Sequence, residues 1–113
     1  MSTEERHSAR ELPIACKVVD TEQSRRQEKL ARELFSGWER TNELDDGYEF
    51  VFPGESSRAE KLVSFIVFER RCCPFLIFEI SFEQEEGPIT LRMRGPKGTK
   101  EFLGAGELAE YIE

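Results

Sequence analysis

Residues 56–83 read SSRAEKLVSFIVFERRCCPFLIFEISFE, and the period of their apolar residues changes once, at Pro74. Before the proline, Ala59, Leu62, Val63, Ile66 and Cys73 recur at the three- and four-residue steps of one helix face. Phe65, Val67 and Phe68 widen that stripe, which marks this as the most buried helix of the chain. Ser56 or Ser57 can cap its start through a side-chain oxygen. Pro74 ends it, because a proline ring pushes the residue before it out of helical geometry. The predicted helix is therefore 56–72, with Cys72 and Cys73 at its C-terminus. After the proline the period falls to two. Leu76, Phe78, Ile80 and Phe82 point one way, and Ile77, Glu79, Ser81 and Glu83 the other, as in a strand with one apolar face.

Working outward, the turn signal EEGP is followed by Ile89, Leu91 and Met93 on the apolar face, with Arg92 and Arg94 opposite the glutamates. Such cross-strand pairs contribute only ~0.2–1 kcal/mol each, so they set register more than stability. GPKGTK (95–100) is a turn leading into a helix from Thr99, which Gly104 and Gly106 break or loosen. GPKGTK lacks the phosphate-loop spacing and is read as structural. Towards the N-terminus, Asp46-Gly47 signals a hairpin. Tyr48, Phe50 and Phe52 share one face after it, while the arm at 38–44 is either an edge strand or a frayed helix end. A helix precedes it, capped by Asp20 or Thr21. Its seam is Leu30, Leu34 and Trp38, flanked by Ala31 and Phe35; its early part, EQSRRQEK, is solvated, and Gly37 stops it. ELPIACKVV (11–19) alternates, so a first strand is expected with Cys16 facing inward and Pro13 at its start.

The element order is then β-α-β-β-α-β-β-α. Apolar strand faces on one side require the helices to cover that side, a two-layer α+β sandwich with an antiparallel sheet. Its first six elements match the ferredoxin-like order, with an extra C-terminal strand and helix. A chain of 113 residues fits one α+β domain, residues 11–113, after a polar tail, residues 1–10, that holds the only histidine, His7. A net charge of −7, with basic residues interleaved among acids, argues against nucleic acid. No apolar run approaches the ~18 residues of a membrane span. The start carries no apolar signal region, and three cysteines cannot all pair, so the expectation is a cytoplasmic protein without a secreted disulfide framework.

The ferredoxin-like arrangement would bring Cys16, Cys72 and Cys73 into one quarter of the molecule. Three readings stay open for them. Unpaired cysteine is among the most buried residue types and packs as a small hydrophobe. Three thiolates form a complete set for a soft ion such as Hg(II), Cu(I) or As(III). Structural zinc wants a fourth ligand, which would have to be His7, a carboxylate such as Glu69, or water. Thiol redox chemistry ranks lower, since a helix C-terminus disfavours thiolate, although Arg70 and Arg71 push the other way. A Cys72–Cys73 bond would be strained and easily reduced. The outward glutamates 79 and 83 face arginines and belong to a solvated surface. No Ser-His-Asp set exists.

DGYEFVFP, ERRCCPFLIFEISFE and GPITLRMRGPKGTKEFL resemble a family of short, functionally uncharacterised bacterial proteins with a D-G-Y turn, an E-R-x-C-C-P-F block and a G-P-x-G-x-K-E-F-L end. The likeness runs from about Leu12 to Leu103. It implies a bacterial, cytosolic origin and a recurring cysteine near Cys16, and brings no substrate or mechanism. The leading functional expectation is a non-enzymatic binder of a thiophilic metal or metalloid through Cys16, Cys72 and Cys73, with Arg70 and Arg71 offsetting the thiolate charge. The alternative is a protein–protein interaction module, or a homodimer, whose cysteines are structural.

Overall fold

The helix that apolar spacing places at 56–72 forms over those residues. The computed structural model of the chain describes residues 12–17 and 20–112. It runs α1 (Thr21–Phe35), β1 (Arg40–Leu44), β2 (Gly47–Phe52), α2 (Ser56–Cys72), β3 (Ile77–Phe82), β4 (Ile89–Arg94), α3 (Thr99–Ala105) and a short 3-10 turn (Ala109–Tyr111). The four strands make one antiparallel sheet in the order β1-β2-β4-β3. With three α-helices among the described residues, this is the expected α+β class, and its layering is compatible with a two-layer sandwich. No helix among the described residues is long and apolar enough to cross a membrane.

The core forms where the apolar strand faces meet the helix seams. Phe50, Phe52, Leu91 and Met93 from the sheet pack with Leu34 and Phe35 of α1 and Leu62 and Phe65 of α2. Phe35 meets Phe50 and Phe52 edge-on, with centroids 5.4 and 4.9 Å away, and stacks on Tyr111 at 4.2 Å. Asp20 caps α1 as expected, accepting the Gln23 N–H at 2.8 Å. Arg58 of α2 donates to the Leu34 carbonyl at the other end of α1. The buried stripe of α2 is narrower than its sequence suggests, because Val63 and Val67 are each 50% exposed. Glu55, not Ser56 or Ser57, holds the N-cap position, and its side chain makes no cap bond.

Two expectations about the sheet need correction. The hairpin turn consists of Asp45 and Asp46, and Gly47 is already the first residue of β2, paired with both Leu44 and Arg94. Residues 40–44 form the edge strand of that hairpin, which settles the ambiguity of the 38–44 arm. The second correction concerns the first strand. Residues 12–17 form no strand, and Val18 and Val19 lie outside the described residues, as does the 1–10 tail. The place beside β2 that a ferredoxin-like order assigns to that strand is taken by β4. The physical reason is local. β4 follows β3 through the short 83–88 loop, so the pairing costs little closure entropy, and it buries Ile89, Leu91 and Met93. Segment 12–17 offers an exposed Leu12 and only Ile14 to the core cluster.

The polar sheet face is held by ion pairs, as the alternation implies. Arg92 reaches Glu49 at 2.7 Å, while Arg94 bridges Glu79 at 2.9 Å and Asp46 at 3.0 Å. A hydrogen bond from Asn42, followed by Arg92, holds the Glu49 carboxyl below its ordinary range.

Candidate cysteine site

The C-terminal end of α2 builds the site. Cys72 is its last residue and Cys73 its C-cap, with a Cys73 N–H that donates to the Glu69 carbonyl at 2.7 Å. Pro74 releases the chain, and the burial of Cys73, Phe75 and Leu76 fixes this corner against the core. Segment 12–17 lies across the helix end as a strap. Lys17 N–H donates to the Cys72 carbonyl at 2.7 Å, and the Cys72 thiol donates back to the Lys17 carbonyl at 3.7 Å. Cys16 and Cys73 are joined by a disulfide, with Cα atoms 4.5 Å apart across a sequence separation of 57. Cys72 stays a free thiol, and all three sulfurs lie within 4.8 Å of one another.

The convergence expected of Cys16, Cys72 and Cys73 is therefore present, but by another route. Cys16 does not point inward from a strand; it is exposed on the strap. Cys73 is 3% exposed and Cys72 half-buried, so the cluster grades from surface to core. It forms one wall of an open-sided pocket of about 260 Å³. Phe68, Phe102 and Leu108 supply apolar walls, while Gln27, Glu69 and Glu107 supply the polar ones.

Gln27 escaped the sequence reading, which placed the early part of α1 in solvent, and Glu69 entered it only as a carboxylate that could complete a zinc site. Gln27 is 5% exposed and Glu69 9%. Gln27 Nε2 donates to a Glu69 carboxylate oxygen at 2.9 Å and to the Phe65 carbonyl at 3.1 Å. A signal existed: Gln27 continues the seam of Ala31 and Leu34, and Glu69 that of Leu62 and Phe65. A polar side chain at a seam position needs a partner, and here each seam supplies the other's. Glu107, after α3, carries no periodic signal.

The electrostatics corrects a further expectation. The charges that act on Cys72 are acids, not Arg70 and Arg71. Burial, then Glu69 and Glu107, pushes the Cys72 thiol up from its ordinary range. Burial also raises Glu69, against a hydrogen bond from Gln27. Glu107 is an exposed residue, yet burial of its carboxyl and the neighbouring Glu69 push it up to about 7. Glu107 therefore carries the proton that the two carboxyls share, and donates it to Glu69.

This shared proton makes stability depend on pH. A carboxyl raised from its ordinary 4.5 to about 7 binds its proton more tightly in the folded chain than in the unfolded one. Its contribution is complete below pH 4.5 and is lost as pH rises through 7. Discounted for solvent screening, the loss is about 1 kcal/mol. Glu107→Gln stays neutral, so its stability relative to wild type should rise between those limits. Urea midpoints at each pH check this, and a flat difference would refute the shared proton.

The other sequence candidates fall away. GPKGTK is a turn closed on itself, with the Thr99 hydroxyl donating to the Pro96 carbonyl at 2.6 Å and Gly98 at φ +103°. Glu79 is paired with Arg94 on the outer sheet face. His7, a conceivable fourth zinc ligand, lies outside the described residues. No family model, curated protein or solved structure matches the chain.

Proposed function

We propose that the protein is a small binder of a thiophilic metal or metalloid, held by the reduced thiols of Cys16, Cys72 and Cys73. The observation that carries this reading is the grouping of the three sulfurs within 4.8 Å. An ion with metal–sulfur bonds of about 2.3 Å spaces its sulfurs roughly 4 Å apart. Only a short adjustment separates the cluster from a ligand set once the Cys16–Cys73 bond is opened. In a cytoplasm, where we place the protein, thiol buffers favour the open form.

Uptake of a cation such as Hg(II), Cu(I) or Zn(II) must displace thiol protons, so its affinity should fall as the medium is acidified. The raised Cys72 thiol leaves more protons to displace at neutral pH. Native mass spectrometry of the reduced chain with Hg(II), As(III), Cu(I) and Zn(II) tests the reading. One ion per chain is expected, with proton loss, and it should vanish in Cys72→Ser/Cys73→Ser. No adduct on the wild type, or an equal adduct on the double variant, removes the proposal.

A second reading is an interaction module or homodimer with structural cysteines. Val63 and Val67 on α2, and Ile80 and Phe82 on the edge strand β3, favour it, because they expose large apolar side chains. Thiol labelling that is slow in the native reduced chain and fast in denaturant would support it over a metal site. Thiol redox catalysis ranks third, because the free thiol is pushed away from thiolate. A Cys72 alkylation midpoint below the reference ~8.5 would restore it.

A further inference from the structure

The geometry points to a trivalent metalloid, As(III) or Sb(III), as the ion class of the three-thiol site, an inference that rests on the metal-binding reading above. The reason is charge. Three thiolates on a divalent ion leave a net charge of −1, whereas three thiolates on a trivalent centre leave none. The surroundings penalise the first product. Glu69, Glu107 and Glu28 line the same pocket as the sulfurs, and no lysine or arginine among the described residues does. Phe68, Phe102 and Leu108 provide a low-dielectric wall, where an uncompensated charge is costly. Arg70 and Arg71 line a different pocket, on the Lys17 side of Cys72.

The chemistry balances without a charged intermediate in the protein. A cellular dithiol first reduces the Cys16–Cys73 bond. It is itself oxidised to a disulfide, and each cysteine gains one proton and one electron. Neutral arsenous acid, As(OH)3, then condenses with three thiols. Three As–O bonds break, three As–S bonds form, and each thiol proton leaves with a hydroxyl as water. No electron moves in this second step. The exposed Cys16 can engage first, with Cys72 and the buried Cys73 closing the set.

The test uses the full chain, reduced with a phosphine and titrated at one pH with arsenite and separately with Cd(II). Stoichiometry comes from native mass spectrometry and affinity from sulfur charge-transfer absorbance. One arsenic per chain is expected, bound more tightly than Cd(II). Cys72→Ser, which leaves two thiols, should weaken arsenite by at least about tenfold. The double variant Glu69→Gln/Glu107→Gln, which removes the negative charge that the carboxyl pair holds, should shift the preference towards Cd(II) by about tenfold. Cd(II) bound more tightly than arsenite by the wild type, or a preference unmoved by the double glutamine variant, overturns the metalloid assignment and leaves the three-thiol site standing. No adduct with either ion overturns the three-thiol site itself.

Discussion

Gly47→Ala is expected to cost about 3 kcal/mol or more and to lower the melting temperature by roughly 10 °C or more. Gly47 opens β2 and sits opposite Arg94 of β4. A Cβ at this position would lie 1.9 Å from the Met93 carbonyl oxygen and 2.9 Å from the Arg94 Cα. Both are backbone atoms of a paired strand, so no side-chain rotation relieves the clash. The two central strands must separate, and Phe50, Leu91 and Met93 separate with them. Gly104→Ala is the matched control. It lies inside α3 with nothing within 4 Å of its added Cβ, so it should stabilise by about 0.5–1 kcal/mol. Urea denaturation of the two variants decides the matter. A cost below about 1 kcal/mol at Gly47 would mean that β2 and β4 are not paired in this register.

The same glycine shows where sequence patterning stopped. Asp46-Gly47 marked a hairpin correctly, since Gly is common in such turns. Whether the glycine served the turn or the strand depended on which strand lay beside it, a long-range fact. α2 and the β3–β4 hairpin were legible because each is a local pattern with a strong stop, Pro74 or the 83–88 loop. Segment 12–17 misled because Leu12, Ile14 and Cys16 alternating with Pro13, Ala15 and Lys17 look like a strand whether or not a sheet edge is free to receive it. β4 had already taken that place by a shorter connection. Val63 and Val67 misled in the opposite sense, because apolar residues at helical spacing suggest burial, while only Leu62, Phe65 and Glu69 of α2 are buried.

At the site, the residues were legible and their linkage was not. Pro74 fixed Cys72 and Cys73 at a helix end, and the ferredoxin-like arrangement expected of the chain placed Cys16 near them. Cys16 reaches them from a strap rather than a strand, tied across the helix end by a backbone hydrogen bond between Lys17 and Cys72. No local pattern encodes that bond. The contact between Gln27 and Glu69 was missed for another reason: each residue was judged on its own helix. Gln27 and Glu69 each look misplaced on their own seam and become consistent only when α1 and α2 are packed together. The acidic character of the thiol pocket follows from this packing, whereas Arg70 and Arg71, adjacent in sequence, line a second pocket that shares Phe68 and Cys72 with it.

Opening the Cys16–Cys73 bond should remove up to about 4 kcal/mol of stability, the loop-closure entropy of a link across this separation. The value is an upper bound, because the strap adds few other contacts: Ile14 against the core, and the paired bonds between Lys17 and Cys72. Cys16→Ser should match the reduced wild type, since position 16 is exposed and loses only the link. Cys73→Ser should fall lower, because it also places a hydroxyl at a site 3% exposed to solvent. Urea midpoints of oxidised and phosphine-reduced protein would give this order, and equal midpoints would show that the strap constrains nothing. Arsenite then separates a structural bond from a binding site. A ligand at a hundredfold excess over its Kd adds about 2.7 kcal/mol to the folded state. The reduced wild type should therefore recover more than half of what it lost. Cys16→Ser and Cys72→Ser, each left with two thiols, should recover far less. If all three respond alike, the sulfurs do not act as a set, and the cysteines serve only to fasten the strap.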